Sequence, residues 1–366
     1  MRSLSSENNL IDFSSNDYLG FAKSEIIFHD THQFLTENKI FANGATGSRL
    51  ISGNHNLYQE AEAFISKFHR SESALIFNSG YDANVGFFSA VPQRSDIVLY
   101  DSLCHASIRD GIRLGNAKSF KFDHNDLDQL EALILKYRDD AEAVYIVTES
   151  VFSMDGDSPN LAKLTTIAEK HHCFTVIDEA HALGVFGNHG EGLVQELNLQ
   201  DKIFARIMTF GKGLGCHGAA ILGSAQLSEY LVNFARSFIY TTGLPPHSIA
   251  GILTAYKHLA EESDALEKLK DNILHFNREM NILHLKPLFV RGKSAIQSAI
   301  IPGNDSVKSV AQQLHKSGFD VKAILSPTVP EGQERLRICL HSFNTHEEIS
   351  NVLKALSNAV TQACGA

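Results

Sequence analysis

A small set of residues in this chain has the types and spacing for covalent carbonyl chemistry. Lys212 stands between two glycines in TFGKGLG (209–215), just after an apolar run. Glycine lets another group approach the backbone closely. A nucleophilic lysine needs such an approach, a depressed pKa and a carbonyl partner; otherwise Lys212 is a solvated lysine in a surface turn. Asp178 ends the apolar run FTVI, so its carboxylate should be partly buried and in need of a partner. It could cap a helix, or it could accept from a cationic ring nitrogen. His181, close beyond it, could donate to an oxygen of the same ring. At Asn78-Ser79-Gly80-Tyr81 a strand should end and a helix begin, which supplies free backbone N–H groups and a positive dipole end. Thr209 adds a hydroxyl that could bind a phosphate. His105, in DSLCHAS, follows another strand end; it could stack on a ring or be an ordinary hydrogen-bonded loop histidine.

One ligand uses all of these parts. Pyridoxal 5'-phosphate needs a lysine for its aldehyde, an aspartate for its pyridinium nitrogen and donors for its phosphate. Two other readings fit less well. Gly213, Gly215 and Gly218 match GxGxxG after a strand, as in a nicotinamide-binding fold. The next segment, AAILG, reads as a strand rather than a helix, and no acidic residue follows at the required distance. A P-loop ending at Lys212 is excluded because position 206 is Arg, and the 18 histidines show no HExxH or other zinc-ligand spacing.

The elements that must hold these residues are legible as a pattern. Apolar runs at 74–77, 96–100, 143–147, 173–178, 206–210 and 219–222 read as strands, with amphipathic stretches such as 161–172 between several of them. That alternation predicts an α/β fold with a mostly parallel sheet covered by helices on both faces. Ligands in such sheets bind outside the carboxyl ends of the strands, which nominates Asn78-Ser79-Gly80, Thr148-Glu149-Ser150, Asp178-Glu179-Ala180-His181 and Gly211-Lys212-Gly213. A long helical stretch is expected from 247 to 283. A smaller α+β pattern follows, with strands at 294–302 and 334–340 and helices near 305–318 and from 346. The expected division is an N-terminal segment of a strand and a helix (1–35), packing on the small domain, a large domain (36–254) and a small C-terminal domain (255–366).

The totals fit a soluble globular protein. The chain has 366 residues, is 43% hydrophobic and 20% charged, and carries a formal net charge of −10. That charge argues against nucleic acid or an anionic membrane as the main partner. Five cysteines without CxxC spacing point to a reducing cytoplasm rather than a disulfide framework. The N-terminus shows no apolar core of a signal peptide, and no run is long enough to span a membrane.

Eight segments then carry a resemblance: FSSNDYLG (13–20), GSRLISGN (47–54), FNSGYDAN (77–84), TESVFSMDGD (148–157), DEAHALGVFG (178–187), TFGKGLG (209–215), IYTTGLPP (239–246) and PTVPEGQERLR (327–337). In this order, and over nearly the whole chain, they resemble the α-oxoamine synthases. These are fold-type I pyridoxal-phosphate transferases that condense an amino acid with an acyl thioester, with CoA or an acyl carrier protein as the thiol.

The resemblance implies that Lys212 holds the cofactor covalently and later moves the Cα proton. Asp178 pairs with the pyridine nitrogen, His181 with the ring hydroxyl, and His105 stacks on the ring. Ser153, Thr209 and the Gly80-Tyr81 backbone help to hold the cofactor. Thr241 or Thr242 reaches the phosphate of a neighbouring subunit, in a homodimer with shared active sites. Asn16 and Arg337 bind the amino-acid carboxylate, and Thr328 meets the acyl substrate. GSRLISGN and PTVP with RLR favour the biotin-pathway branch, with L-alanine and a pimeloyl thioester. The alternatives are glycine or serine as the amino acid, a long fatty acyl thioester, or a non-catalytic partner subunit, against which the intact Lys212, Asp178 and His181 argue. Members of this family usually carry a longer segment ahead of FSSNDYLG, with a basic residue near the acyl entrance. The expectation here is a more open and less selective mouth.

Overall fold

Strands buried on both faces read as near-continuous apolar runs, and the strands of the large sheet in this chain do so. The structure, a computed structural model, describes residues 10–261 and 264–364. The first residues, read above as lacking a signal peptide, and the side chain of Cys364 lie outside the described residues. In chain order the strands are β1 (Ile11–Asp12), β2 (Ser73–Phe77), β3 (Ile97–Asp101), β4 (Lys118–Phe122), β5 (Val144–Glu149), β6 (Phe174–Asp178), β7 (Ala205–Thr209), β8 (Ala219–Gly223), β9 (Ile296–Ile300), β10 (Phe319–Asp320), β11 (Lys322–Ile324) and β12 (Arg335–Cys339).

The chain forms two compact units. The larger contains residues 20–152 and 158–261. Its seven-stranded sheet has the order β2-β8-β7-β6-β5-β3-β4. Only β8 runs against its neighbours, pairing antiparallel with β2 and β7; the pairs β7-β6, β6-β5, β5-β3 and β3-β4 are parallel. Side chains alternate across a strand, and each face has its own core. Val98, Val147, Val176 and Ile207 pack with Phe87, Ile108 and Leu231 on one face. Leu99, Val144 and Ile146 pack with Leu130, Ile134 and Leu164 on the other.

The strand β4 escapes the sequence reading. Its segment KSFKF is mostly exposed and lysine-rich, as suits a sheet edge, where lysines oppose pairing with other chains.

The smaller unit contains residues 10–19, 153–157 and 264–364. It holds an antiparallel sheet of order β11-β12-β9 and a parallel pair β1-β10. Its helices Asn304–Lys316 and His346–Cys364 bury Val307, Val310, Leu314, Ile349, Val352 and Leu356.

Three boundaries differ from the sequence reading. The stretch 247–283 forms two helices, Pro246–Glu261 and Asp264–Ile282, one in each unit. The units therefore divide after residue 261 rather than at 254. The N-terminal strand β1 joins the smaller unit through β10, but the helix Glu25–Glu37 packs on Pro246–Glu261 of the larger one. Finally, 153–157 crosses from its neighbours in sequence to the smaller unit. Ser298 donates to the Met154 carbonyl, and the Ser294 hydroxyl donates to the Gly156 carbonyl at 2.8 Å. Among the described residues no helix is long and apolar enough to cross a membrane.

Candidate active site

Six strands of the large sheet point their carboxyl ends the same way, and five of those ends meet at one cavity of about 210 Å³. The turn after β2 brings Gly80, Tyr81 and Asn84. The loop after β3 brings His105 and Ser107. Glu149 and Asp178 are the last residues of β5 and β6, and Ala180 and His181 follow at once. Thr209 ends β7, and Lys212 follows it.

Asp178 is almost wholly buried. Its Oδ1 accepts the Ala180 N–H at 2.9 Å and its Oδ2 accepts from Asn84 Nδ2 at 2.9 Å. No helix starts here, so Asp178 is not a helix N-cap. Both donors are neutral, and Asp178 forms no ion pair among the described residues. A buried anion of this kind is costly without a cationic partner. The Lys212 amine lies 3.0 Å from His181 Nε2.

His105 is set by its surroundings. Asp101, fully buried at the end of β3, accepts the Leu103 N–H at 2.8 Å and the Asn125 N–H at 2.8 Å, which shapes the loop. The His105 N–H donates to Glu149 Oε1 at 2.6 Å. Its Nδ1 accepts the Ser107 N–H at 3.2 Å and lies 2.7 Å from the Ser107 hydroxyl. Burial pushes the His105 pKa down, against the opposing charge of Asp178 and with that of Lys212. Burial, and then the charge of Asp178, pushes Glu149 up to about 8.

The helix Gly80–Ala90 opens beside Thr209. Ser79 caps it by accepting the Asp82 N–H at 3.1 Å. The N–H groups of Gly80 and Tyr81 lie in the first turn, where no intrahelical acceptor exists. A Cβ on Gly80 would come within 2.5 Å of Thr209 Oγ1. The Tyr81 phenol points elsewhere, donating to Asp110 Oδ2 at 3.0 Å.

The other expected site residues do not line this cavity. Thr241 and Thr242 sit beside the turn after β2, where Asn78 Nδ2 donates to Thr241 Oγ1 at 3.1 Å and to the Thr242 carbonyl at 2.6 Å. Asn16, Ser153, Thr328 and Arg337 belong to the smaller unit. There Arg337 donates through Nε to the Ser153 carbonyl at 2.7 Å and through Nη2 to Asn16 Oδ1 at 2.8 Å. Thr328 is exposed in the turn after β11.

Asn84, Ser107 and Glu149 line the cavity without having been assigned a role from sequence. Each lies inside a segment already singled out. Asn84 stands four residues after Gly80, so both share one helix face, and that spacing was the available signal.

These groups fit pyridoxal 5'-phosphate. The cavity offers an amine for an aldehyde, a buried carboxylate for a pyridinium N–H, an imidazole at its wall and a helix N-terminus with a hydroxyl for a phosphate.

A mostly parallel sheet with a lysine, an aspartate and a helix N-terminus at its carboxyl edge defines an α/β transferase of fold-type I. The family model for aminotransferase class I and II matches residues 8–356, and the chain belongs to that family. Within it, the named relatives fall in the α-oxoamine synthase branch. The 8-amino-7-oxononanoate synthase of Emericella nidulans is 41% identical over 366 residues, covering 95% of this chain and 88% of the relative. A putative 8-amino-7-oxononanoate synthase of Halalkalibacterium halodurans is 39% identical over 347 residues, covering 94% and 86%. Among solved structures, 8-amino-7-oxononanoate synthase from Francisella tularensis has a TM-score of 0.82 at 29% identity, with 97% of this chain and 99% of that one covered. Serine palmitoyltransferase from S. paucimobilis, solved with PLP bound, has a TM-score of 0.90 at 26% identity, covering 98% and 89%.

Proposed function

We propose that this chain is a pyridoxal-phosphate-dependent acyltransferase that joins L-alanine to a pimeloyl thioester, with loss of the alanine carboxylate as CO₂ and release of the thiol. The product would be 8-amino-7-oxononanoate, a biotin precursor. The observation that carries the reading is the Lys212 amine, 3.0 Å from His181 Nε2, in one cavity with the buried Asp178 carboxylate.

Bound pyridoxal phosphate would supply the electron sink for breaking bonds at the amino-acid Cα. The chain's own residues do the rest. Lys212 would hold the cofactor through its aldehyde, and its amine would take and return the Cα proton. Asp178 would pair with the ring nitrogen. His181 would donate to the ring hydroxyl, and His105 would stack on the ring. The Gly80 and Tyr81 N–H groups with Thr209 and Ser153 hold the cofactor, and Thr241 or Thr242 serves the phosphate of a second copy. Arg337 and Asn16 take the amino-acid carboxylate, and Thr328 meets the acyl chain.

A cytoplasmic homodimer is part of this reading. Cysteines 104, 173, 216 and 339 form no disulfide. Phe41, Ile51 and Tyr240 are 74%, 87% and 72% exposed, and a second copy could cover such side chains.

Reduction with borohydride in the presence of the cofactor, followed by peptide mapping, tests the reading: it should label Lys212, and labelling of another lysine would overturn it. For substrate choice, kcat/KM is measured for alanine, glycine and serine against acetyl-, pimeloyl- and palmitoyl-CoA. Alanine with pimeloyl-CoA should lead. One methyl group in an apolar pocket is worth only about 1–3 kcal/mol, so glycine should react slowly rather than not at all. Preference for glycine with acetyl-CoA, or for serine with palmitoyl-CoA, would move the activity to another branch.

A further inference from the structure

Asp178, Ala180 and His181 line the cavity, but Glu179 between them does not. Its side chain is wholly buried and serves a different place. Oε1 accepts the Val194 N–H at 3.0 Å, and Oε2 lies 3.6 Å from Nη1 of Arg206. Arg206 is 3% exposed inside β7, a strand that is otherwise apolar at its buried positions. Its Nη2 donates to the His69 carbonyl, and the His69 ring lies 3.0 Å from the Tyr256 hydroxyl. The surrounding chain is shaped around this carboxylate. Gly192 has φ +112°, and a Cβ there would come within 2.9 Å of both Glu179 oxygens.

The backbone gives the pair its reach. The Glu179 N–H donates to the Ile207 carbonyl at 2.9 Å, which extends the β6-β7 pairing past Asp178. The Glu179 carbonyl accepts from Ala182 at 2.9 Å and Leu183 at 3.2 Å, closing the turn that carries His181. Arg206 is three residues before Thr209 and six before Lys212 on the other strand. One ion pair therefore ties the turn holding Asp178 and His181 to the strand that leads to Thr209 and Lys212. A buried pair adds little net stability against an apolar replacement, but removing one partner leaves the other charge stranded.

We propose that Glu179 and Arg206 are positioning residues, a buried ion pair that sets the distance between His181 and Lys212 and so tunes the lysine that holds the cofactor. The inference rests on the cofactor assignment made above. Neither residue touches the cavity, so both act through the groups that do.

The test is a cycle of wild type, Glu179→Gln, Arg206→Met and the double variant. Melting of each protein without cofactor gives stability. Visible absorbance gives cofactor affinity and the pH midpoint of the lysine-bound chromophore. Each single variant should weaken cofactor affinity by about tenfold and move the midpoint by about half a pH unit. The double variant, with no charge left to strand, should recover both to within roughly threefold and a few tenths of a unit. Single variants that melt lower yet keep wild-type affinity and midpoint would reduce the pair to a fold-stabilising contact and overturn the inference. So would a double variant that fails to recover or to fold; if a single variant does not fold, the double decides. A wild type that takes up no cofactor would instead overturn the functional reading, and this inference with it.

Discussion

Glu149 and Asp178 are register partners at the carboxyl ends of the neighbouring parallel strands β5 and β6, and both line the cavity that holds Lys212. Two acids held this close in a buried place cannot both ionise freely. Asp178 has two donors on its oxygens, whereas Glu149 has burial and the Asp178 charge against it and is pushed up to about 8. Glu149 thus keeps a proton beside Asp178 up to about pH 8.

This has a pH signature. An ordinary glutamate titrates near about 4.3. Between that value and about 8 the folded chain keeps a proton on Glu149 that the unfolded chain has lost. Stability therefore falls as pH rises through this window, by linkage. Glu149→Gln removes the titration and keeps the acceptor for His105. Its melting temperature relative to wild type, measured without cofactor from about pH 5 to about pH 8, should shift steadily in the variant's favour. A constant difference would mean that Glu149 is already ionised at low pH.

Asp178→Asn keeps the shape and removes the charge. On the reading above, kcat/KM should fall on the order of 10²-fold or more, about 2.7 kcal/mol of lost transition-state stabilisation. Steady-state kinetics decides it. Activity within a few-fold of wild type would leave Asp178 only its hydrogen bonds to Ala180 and Asn84.

The two glycines around Lys212 should behave differently. A Cβ on Gly213 would lie 2.3 Å from the Leu183 carbonyl oxygen, a backbone atom that cannot swing aside, whereas one on Gly211 meets nothing closer than the Cys216 carbonyl at 3.4 Å. Gly213→Ala should cost about 1–3 kcal/mol, as overpacking does, and weaken cofactor binding because the Leu183 segment follows His181. Gly211→Ala should be nearly neutral. Denaturant unfolding of both variants is the measurement, and equal losses would refute the contrast.

Arg337 offers a planar fork already aligned by Ser153 and Asn16. Arg337→Lys keeps the charge and loses the fork. KM for the amino acid should rise about tenfold or more, about 1.4 kcal/mol, with KM for the acyl thioester little changed. If both KM values move together, the arginine does not serve the amino-acid carboxylate.

Much of this protein was legible in its sequence because the relevant physics is local. Strands buried on both faces must be apolar along their whole length, so FTVID and AVYIV announced themselves, and so did the polar residues following them. Lys212, Asp178, His181 and His105 could be picked out for that reason. The edge strand KSFKF could not, because at a sheet edge solubility outweighs apolar pattern.

Distance in the chain hid the rest. The glycine after Lys212 invited the idea of a close-approaching ligand, yet the group that comes near is the Leu183 carbonyl, from a turn some thirty residues earlier. Glu149 reads as an ordinary carboxylate until β5 and β6 pair and set it beside Asp178. Arg206 reads as the residue that breaks a P-loop match until folding buries it against Glu179. By itself the sequence determined which residue types stand at the carboxyl ends of the strands, since apolar periodicity is written along the chain. Only the tertiary structure decided which of those ends are neighbours, and burial with a neighbour's charge then set which acid keeps its proton and which cation is paired.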